Sequence, residues 1–305
     1  MSDTSLSRLA AAIGSWTPPE NAALQGFDPA AVGPELRRKA ETLFRLLVPL
    51  AEKAASENDR AVISLVGGSG AGKSGSAALL AAWFRASGVG CITVNGDNYP
   101  HRIPMYNDAE RLRLFRTGGL KALRAAGLYA ADTDAALREL WASGADADPA
   151  EAARLPWLRV YQAGGRRALE AYLGTPLEQD YDELNALLDE FHAGAETLWL
   201  KRMGRTEDER RYEAADAHDT PLLLLEWTHG GSELLRGVDL PVLLLGTTEE
   251  TLPYRRARNR DADTDTPFTT MVLNIEQEKL LRRAGSAAVI LSRDGQPVTA
   301  AELGG

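Results

Sequence analysis

A chain of 305 residues with 44% hydrophobic and 25% charged residues has an ordinary globular composition. That excludes wholesale disorder and suits one large α/β domain, or one such domain with a helical annex. The formal net charge of -9 excludes the basic footprint that polyanion binding needs, so nucleic acid is not an expected partner.

Taken in chain order, the start Met1-Ser2-Asp3-Thr4 is polar and carries no basic stretch followed by an apolar run. No later apolar run approaches the roughly 20 residues needed to span a bilayer, so a cytoplasmic protein with no membrane partner is expected. Residues 1–33 are rich in Ala, Pro and Gly and read as partly irregular. Leu36, Ala40, Leu43, Phe44, Leu47 and Ala51 then fall at helical spacing, with Pro49 predicted to kink or divide the helix. Residues 1–59 are thus an N-terminal helical extension. Ala61 to Val66 is a β-branched apolar run, a buried parallel strand. Glycines follow, then an Ala/Leu-rich helix from Ser76 to Ala86 and a second strand at Cys91 to Val94, where the lone cysteine is a buried thiol. Strand, helix and strand make a βαβ unit and predict a parallel sheet flanked by helices.

From Asp108 to about Asp219 the pattern is mostly helical, apart from an acidic loop at Gly144 to Glu151. Residues of about 107–219 therefore read as a helical insertion within a domain spanning 60–305. Strands are predicted again at Pro221 to Leu225, Pro241 to Leu245 and Ala287 to Leu291, with a basic helix after the second of these.

Gly67-Gly68-Ser69-Gly70-Ala71-Gly72-Lys73-Ser74 satisfies G-x-x-x-x-G-K-[ST] between a predicted strand and helix. In such a loop glycines admit positive φ, and backbone N–H groups converge on phosphate oxygens at a helix N-terminus. Gly68 to Gly75 are the expected nucleotide contacts. Lys73 would reach the β- and γ-phosphates, and the Ser74 hydroxyl would ligate Mg²⁺.

Ligands of a parallel sheet sit beyond the carboxyl ends of its strands. Asp97 falls there after the second strand, either as a turn-forming residue of Asn95-Gly96-Asp97-Asn98 or as the base that takes a proton from an acceptor hydroxyl. The P-loop one helix upstream favours the base. Glu226 closes a Leu-rich strand, where it is a solvated strand end, a contact to Mg²⁺ or its waters, or a contact to the acceptor. Thr228, His229 and Ser232 are expected on the same rim. Tyr254 to Asp261 concentrates Arg255, Arg256, Arg258 and Arg260. These would not all share one helix face, so two, taken as Arg256 and Arg260, are expected over the phosphates as a lid.

With these features in chain order, the sequence resembles the uridine kinase, phosphoribulokinase and bacterial pantothenate kinase group of P-loop kinases. The resemblance runs through Gly67 to Ser74, Asp97-Asn98-Tyr99, the strand ending in Glu226, and the Arg256 to Asp261 lid. It implies an α/β P-loop fold and a donor ATP with Mg²⁺. It also implies Asp97 as catalytic base, Glu226 in metal or acceptor binding, and lid arginines on phosphates. Val94 to Asn98 also looks like the Asp-Gly-Asp-Asn segment of adenylylsulfate kinases. The segment from Asn107 to Asp219 is longer than in a typical uridine kinase and lacks a recognisable nucleoside pattern, so no nucleoside acceptor is implied.

Acceptor specificity is expected in Tyr99, Arg102 and Tyr106, just past the base, and in Arg202, Glu226 and His229. Lys201, Arg202 and Arg205 form a basic cluster, either a solvated helix face, the commoner outcome, or a grip for an anionic acceptor group. The expected activity is transfer of a phosphoryl group to a hydroxyl of a small molecule, with a homodimer among the assemblies allowed. Alternatives are an adenylylsulfate kinase-like enzyme, a nucleotide-sugar kinase of the zeta-toxin kind, and a P-loop switch protein. Against the last, the sequence carries neither the Asn-Lys-x-Asp motif of GTPase switches nor the Cys or His clusters of metallochaperones.

Overall fold

The computed structural model describes residues 4–20, 22–258 and 266–303. Helix α1 (Ser5–Ala12) starts at Thr4, whose hydroxyl accepts from the Ser7 N–H. Helix α2 (Pro34–Asn58) carries the predicted apolar stripe and runs through Pro49 as one helix. The expected division at that proline does not occur. One intrahelical hydrogen bond is lost there, but Leu43, Phe44, Leu47, Val48 and Ala51 are buried on either side of it, and their packing favours a continuous helix. Trp16 stacks on Phe44 with centroids 4.2 Å apart, and Trp83 of the following helix meets both rings edge-on.

Strand β1 (Ala61–Gly67) is buried along its whole length, as expected for a strand covered on both faces. Helix α3 (Lys73–Ala86) and strand β2 (Cys91–Asn95) complete the βαβ unit. Cys91 is free and buried, and burial pushes its thiol up to about 12.

The insertion is built from α4 (Pro104–Ala125), α5 (Ala131–Ser143), α6 (Pro149–Arg154), α7 (Leu158–Glu170) and α8 (Tyr181–His192). The acidic loop is shorter than expected. Gly144 closes α5 in the left-handed region, and Asp148 already caps α6 by accepting from the Ala150 N–H. Helices α4 and α7 cross at a backbone-to-backbone contact: a Cβ on Gly118 would lie 2.6 Å from the Gly164 carbonyl oxygen. The insertion is not all helical. Strands β3 (Thr197–Arg202) and β4 (Arg211–Asp216) form an antiparallel hairpin in the stretch read as helix. Leu198 and Leu200 face inward there while Trp199 is exposed, so period-two burial overrides the local helix formers.

Strands β5 (Leu222–Glu226) and β6 (Leu240–Leu244), helices α9 (Thr248–Arg258) and α10 (Pro267–Arg282), and strands β7 (Val289–Leu291) and β8 (Pro297–Val298) finish the chain. The main sheet has the order β2-β5-β1-β6-β7-β8, parallel except for β8. Its register aligns Leu65, Glu226 and Asn95 across β1, β5 and β2. One face of the sheet packs on α2 and α3, and the other on α8 and the hairpin. A third apolar cluster joins the insertion to α10 through Phe115, Tyr161, Val272 and Ile275. Among the described residues no helix is long and apolar enough to cross a membrane.

Candidate active site

The loop after β1 is shaped by two left-handed glycines, Gly70 at φ +84° and Gly72 at φ +92°. Gly72 is the N-cap of α3, so the loop amides and the first turn of that helix open onto the carboxyl edge of the sheet. Lys73 folds back and donates from Nζ to the Gly68 carbonyl at 3.0 Å. The Ser74 hydroxyl donates to Glu226 Oε1 at 2.7 Å. That contact joins residues 152 positions apart, because β5 lies directly beside β1 in the sheet.

Glu226 is buried at the end of β5. One strand further out, the Asn95 side chain accepts from the Asp97 N–H at 2.8 Å and holds a single 3-10 turn, Gly96–Asn98, at the end of β2. Asp97 is exposed on that rim. Gly96 sits against the buried Trp227, where any Cβ would collide with the indole. The Asn98 side chain accepts from the Met203 N–H at 3.0 Å, tying the β3–β4 hairpin to the same turn.

A buried polar network stands beside this edge. Arg111 of α4 donates from Nε to Glu178 at 2.7 Å and pairs with Glu276 of α10 at 3.7 Å and with Asp108 at 3.3 Å. Glu178 also accepts from the Gly174 N–H at 2.6 Å and from Asn107 at 3.1 Å. Asn107 in turn accepts from the Tyr172 hydroxyl at 2.9 Å, which accepts from Arg102 at 3.1 Å. Burial pushes the Glu178 carboxyl up, but the Arg111 guanidinium, His229 and the Gly174 N–H outweigh it and leave it below its ordinary value. Glu276 goes the other way. Burial drives it up to about 7, with Glu178 and Asp97 adding to the rise and Arg111 and Lys73 opposing it. Asp97 and Lys73 are thus both near enough to act on Glu276.

The structure thus brings Lys73, Ser74 and Glu226 together and sets Asp97 on the same edge. Other expected site residues lie elsewhere. Tyr99 is 2% exposed and belongs to the core beneath β2 and β5, so it is a packing residue and not a rim contact. His229 is also buried, T-shaped against Trp227 at 5.3 Å, and burial pushes it down to about 4. Its expected place on the open rim is corrected accordingly. Tyr106 is exposed on the first turn of α4. Arg202 lies on a strand, not a helix face, and is paired with Glu213 at 2.7 Å, while Lys201 is paired with Glu183. Of the lid arginines, Arg256 is exposed on α9 and Arg260 lies outside the described residues. Arg255 is packed on the phosphate loop: a Cβ on Gly70 would meet its Cγ at 3.3 Å. Its guanidinium donates to the Thr248 carbonyl and the Thr251 hydroxyl.

Sequence reasoning missed Arg111, Glu178, Glu276 and Gln277, the last of which brings its side-chain oxygen within 2.9 Å of where a Gly68 Cβ would stand. Only Glu276 left a signal. It falls within the stripe of Val272, Ile275 and Leu280, so the helical period itself buries a carboxyl there.

Residues 50–129, from the second half of α2 through α4, match the family model of zeta toxin. Over 237 residues the chain is 37% identical to the bifunctional alpha-galactosidase/sucrose kinase AgaSK of Mediterraneibacter gnavus, covering 78% of this chain and 20% of that protein. The chain spans only about a fifth of that relative's length. The fold is that of the P-loop kinases. Among solved structures, a possible uridine kinase from Bacillus stearothermophilus aligns with a TM-score of 0.44 and 15% identity, over 84% of this chain and 98% of that one. D-glycerate 3-kinase from Cryptococcus neoformans aligns with a TM-score of 0.34 and 11% identity, over 86% and 73%.

Mg²⁺ is tested by the donors present. It favours oxygen, and usually takes one or two protein ligands while phosphates and waters complete its shell. The Ser74 hydroxyl and Glu226 carboxylate, in contact at the mouth of the loop, fit that requirement. No cluster of three or more His, Cys, Asp or Glu suited to a metal occurs among the described residues, and a phosphate-bound Mg²⁺ does not call for one.

Proposed function

We propose that this chain is an ATP-dependent kinase that transfers the γ-phosphoryl group to a hydroxyl of a neutral, sugar-like small molecule. The observation that carries the reading is the joined pair Ser74 and Glu226, with Lys73 on one side and Asp97 on the other, all at the carboxyl edge of one sheet. Mg²⁺, held at Ser74 and Glu226, would supply charge neutralisation between the phosphates. Lys73 exchanges the Gly68 carbonyl for phosphate oxygens when the donor binds. Asp97 takes the proton of the acceptor hydroxyl as its oxygen bonds to the γ-phosphorus, and the bond from that phosphorus to the β–γ bridging oxygen breaks to release ADP. Arg255, already seated on the loop, offers a cation to the charge that spreads over the transferred group.

The acceptor class is supported by charge. Arg202, the expected grip for an anion, is matched by Glu213, and the exposed side chain at the end of β2 is a carboxylate, Asp97. Such a surface suits hydroxyls, which both donate and accept, better than a second anion. The similarity to a bifunctional protein with sucrose kinase activity points to the same class. The test is ADP release measured against neutral sugars, sugar acids, nucleotide sugars and adenylylsulfate, with the product mass determined. Turnover on a neutral sugar, lost in Asp97→Asn while ATP still binds, is the expected result. Turnover confined to the anionic acceptors would replace this reading with one of the alternatives.

A further inference from the structure

Residues 27–39 precede the phosphate loop by a whole strand, and the chemistry above makes no use of them. They nonetheless form one wall of a cavity of about 490 Å³ whose other wall is the loop itself, from Gly70 to Gly72 and Gly75. Pockets that bury small ligands measure roughly 300–1,000 Å³. Phe27 and Leu36 give the N-terminal wall its apolar surface, and Glu35, Tyr254 and Arg293 lie around it. The wall is pressed onto the loop: a Cβ on Gly75 would stand 2.5 Å from Leu36 Cδ2 and 3.1 Å from the Phe27 ring. It is also tied down by polar contacts at both ends. Lys39 Nζ donates to the Ala71 carbonyl at 3.2 Å. The Tyr254 hydroxyl of α9 donates to Glu35 at 2.9 Å, with the Arg293 guanidinium 5.8 Å from the same ring.

The position of the cavity identifies its occupant. Asp97 lies at the end of β2, on one edge of the sheet, whereas Leu245, Arg293 and α9 place this cavity toward β6 and β7. A triphosphate gripped by the loop with its γ end toward Asp97 must send its other end away from β2. We propose that the N-terminal segment 27–39 builds the pocket for the nucleoside of the donor, with Phe27 and Leu36 against the base and Glu35 and Lys39 as the polar groups at its edge. The extension is then part of the donor site and not an appendage to it. This proposal rests on the kinase reading, and the experiment separates the two.

Binding of ATP and of inorganic tripolyphosphate to the full chain is measured by calorimetry. The second probe fills the loop but carries no nucleoside. Leu36→Trp, which fills the cavity, and Phe27→Ala, which strips its wall, are each expected to weaken ATP at least tenfold and to change tripolyphosphate affinity less than twofold. Hydrogen exchange on the unaltered chain adds a measurement that needs no variant: ATP, but not tripolyphosphate, should protect amides in 27–39. Unchanged ATP affinity in both variants, or equal protection by both probes, overturns the proposal. If neither probe binds the unaltered chain, the kinase reading itself falls.

Discussion

Two buried titratable groups beside the site should oppose each other in the pH dependence of stability. Glu276 is held up to about 7 by burial, facing Arg111, Glu178, Asp97 and Lys73. Its ordinary value is 4.5, so between about pH 4.5 and 7 the folded chain keeps a proton that the unfolded chain has released. Its stabilising contribution is complete below 4.5 and is lost as the pH rises through 7. His229, facing Glu178, Arg111, Lys279 and Arg283, is held down to about 4 by burial against an ordinary 6.5. There the unfolded chain binds the extra proton, and stability is lost as the pH falls from 6.5 toward 4. Each shift spans roughly two and a half pH units at about 1.4 kcal/mol per unit, so each effect is about 3 kcal/mol. Between pH 4.5 and 6.5 the two cancel. Urea unfolding of the wild type, Glu276→Gln and His229→Gln at half-unit pH steps tests this, with each variant subtracted from the wild type so that other groups drop out. Relative to the wild type, Glu276→Gln should gain about 3 kcal/mol of stability between pH 4.5 and 7. His229→Gln should lose a similar amount between pH 4 and 6.5. A flat difference for Glu276→Gln would mean that its carboxyl ionises normally and that the network around Arg111 is not as dry as its burial implies.

Three substitutions probe the site more directly. Gly96→Ala drives a Cβ into the fully buried Trp227, so the turn carrying Asp97 must shift. Turnover should fall at least tenfold with ATP affinity intact, alongside about 1–3 kcal/mol of lost stability by urea unfolding. Glu226→Gln keeps the Ser74 contact but removes the anion, and should raise the Mg²⁺ concentration for half-maximal turnover by roughly ten- to a hundredfold. Arg111→Ala leaves the buried carboxylate of Glu178 without its charge partner, and should cost about 3–5 kcal/mol in the same unfolding assay.

The parts of the site legible in the sequence are those where chemistry dictates residue type locally. The phosphate loop turns on two positions of positive φ, which favour glycine, so Gly70 and Gly72 are legible there. Strands covered on both faces must be apolar along their length, and β1, β5 and β6 are visible for that reason. What depends on pairing between distant segments was not legible. Nothing in the order of strands along the chain says that β5 inserts between β2 and β1, yet that insertion is what sets Glu226 against Ser74. The β3–β4 hairpin was hidden differently. Leu198 and Leu200 do alternate with Trp199, but β4 is polar and exposed and offers no pattern of its own. Arg111 sits in a charge-rich stretch that a solvated helix would also have, and Glu178 in a turn between α7 and α8, so only the fold brings the two together.

The acidity of the acceptor side is itself an argument about mechanism. Two like charges 4 Å apart repel by about 4 kcal/mol at the effective dielectric of a protein surface. Holding Asp97, Glu226 and Glu276 near one rim while admitting a triphosphate requires those charges to be divided by function. Glu226 is turned to Ser74, where a divalent cation would offset it, and Glu276 is relieved by keeping its proton up to about pH 7. Asp97 then remains as the exposed carboxylate of the three, the one that the proposed reaction uses as its base. An arginine clamp at the same rim would favour an anionic acceptor but would weaken that base. Arg202 is instead paired with Glu213.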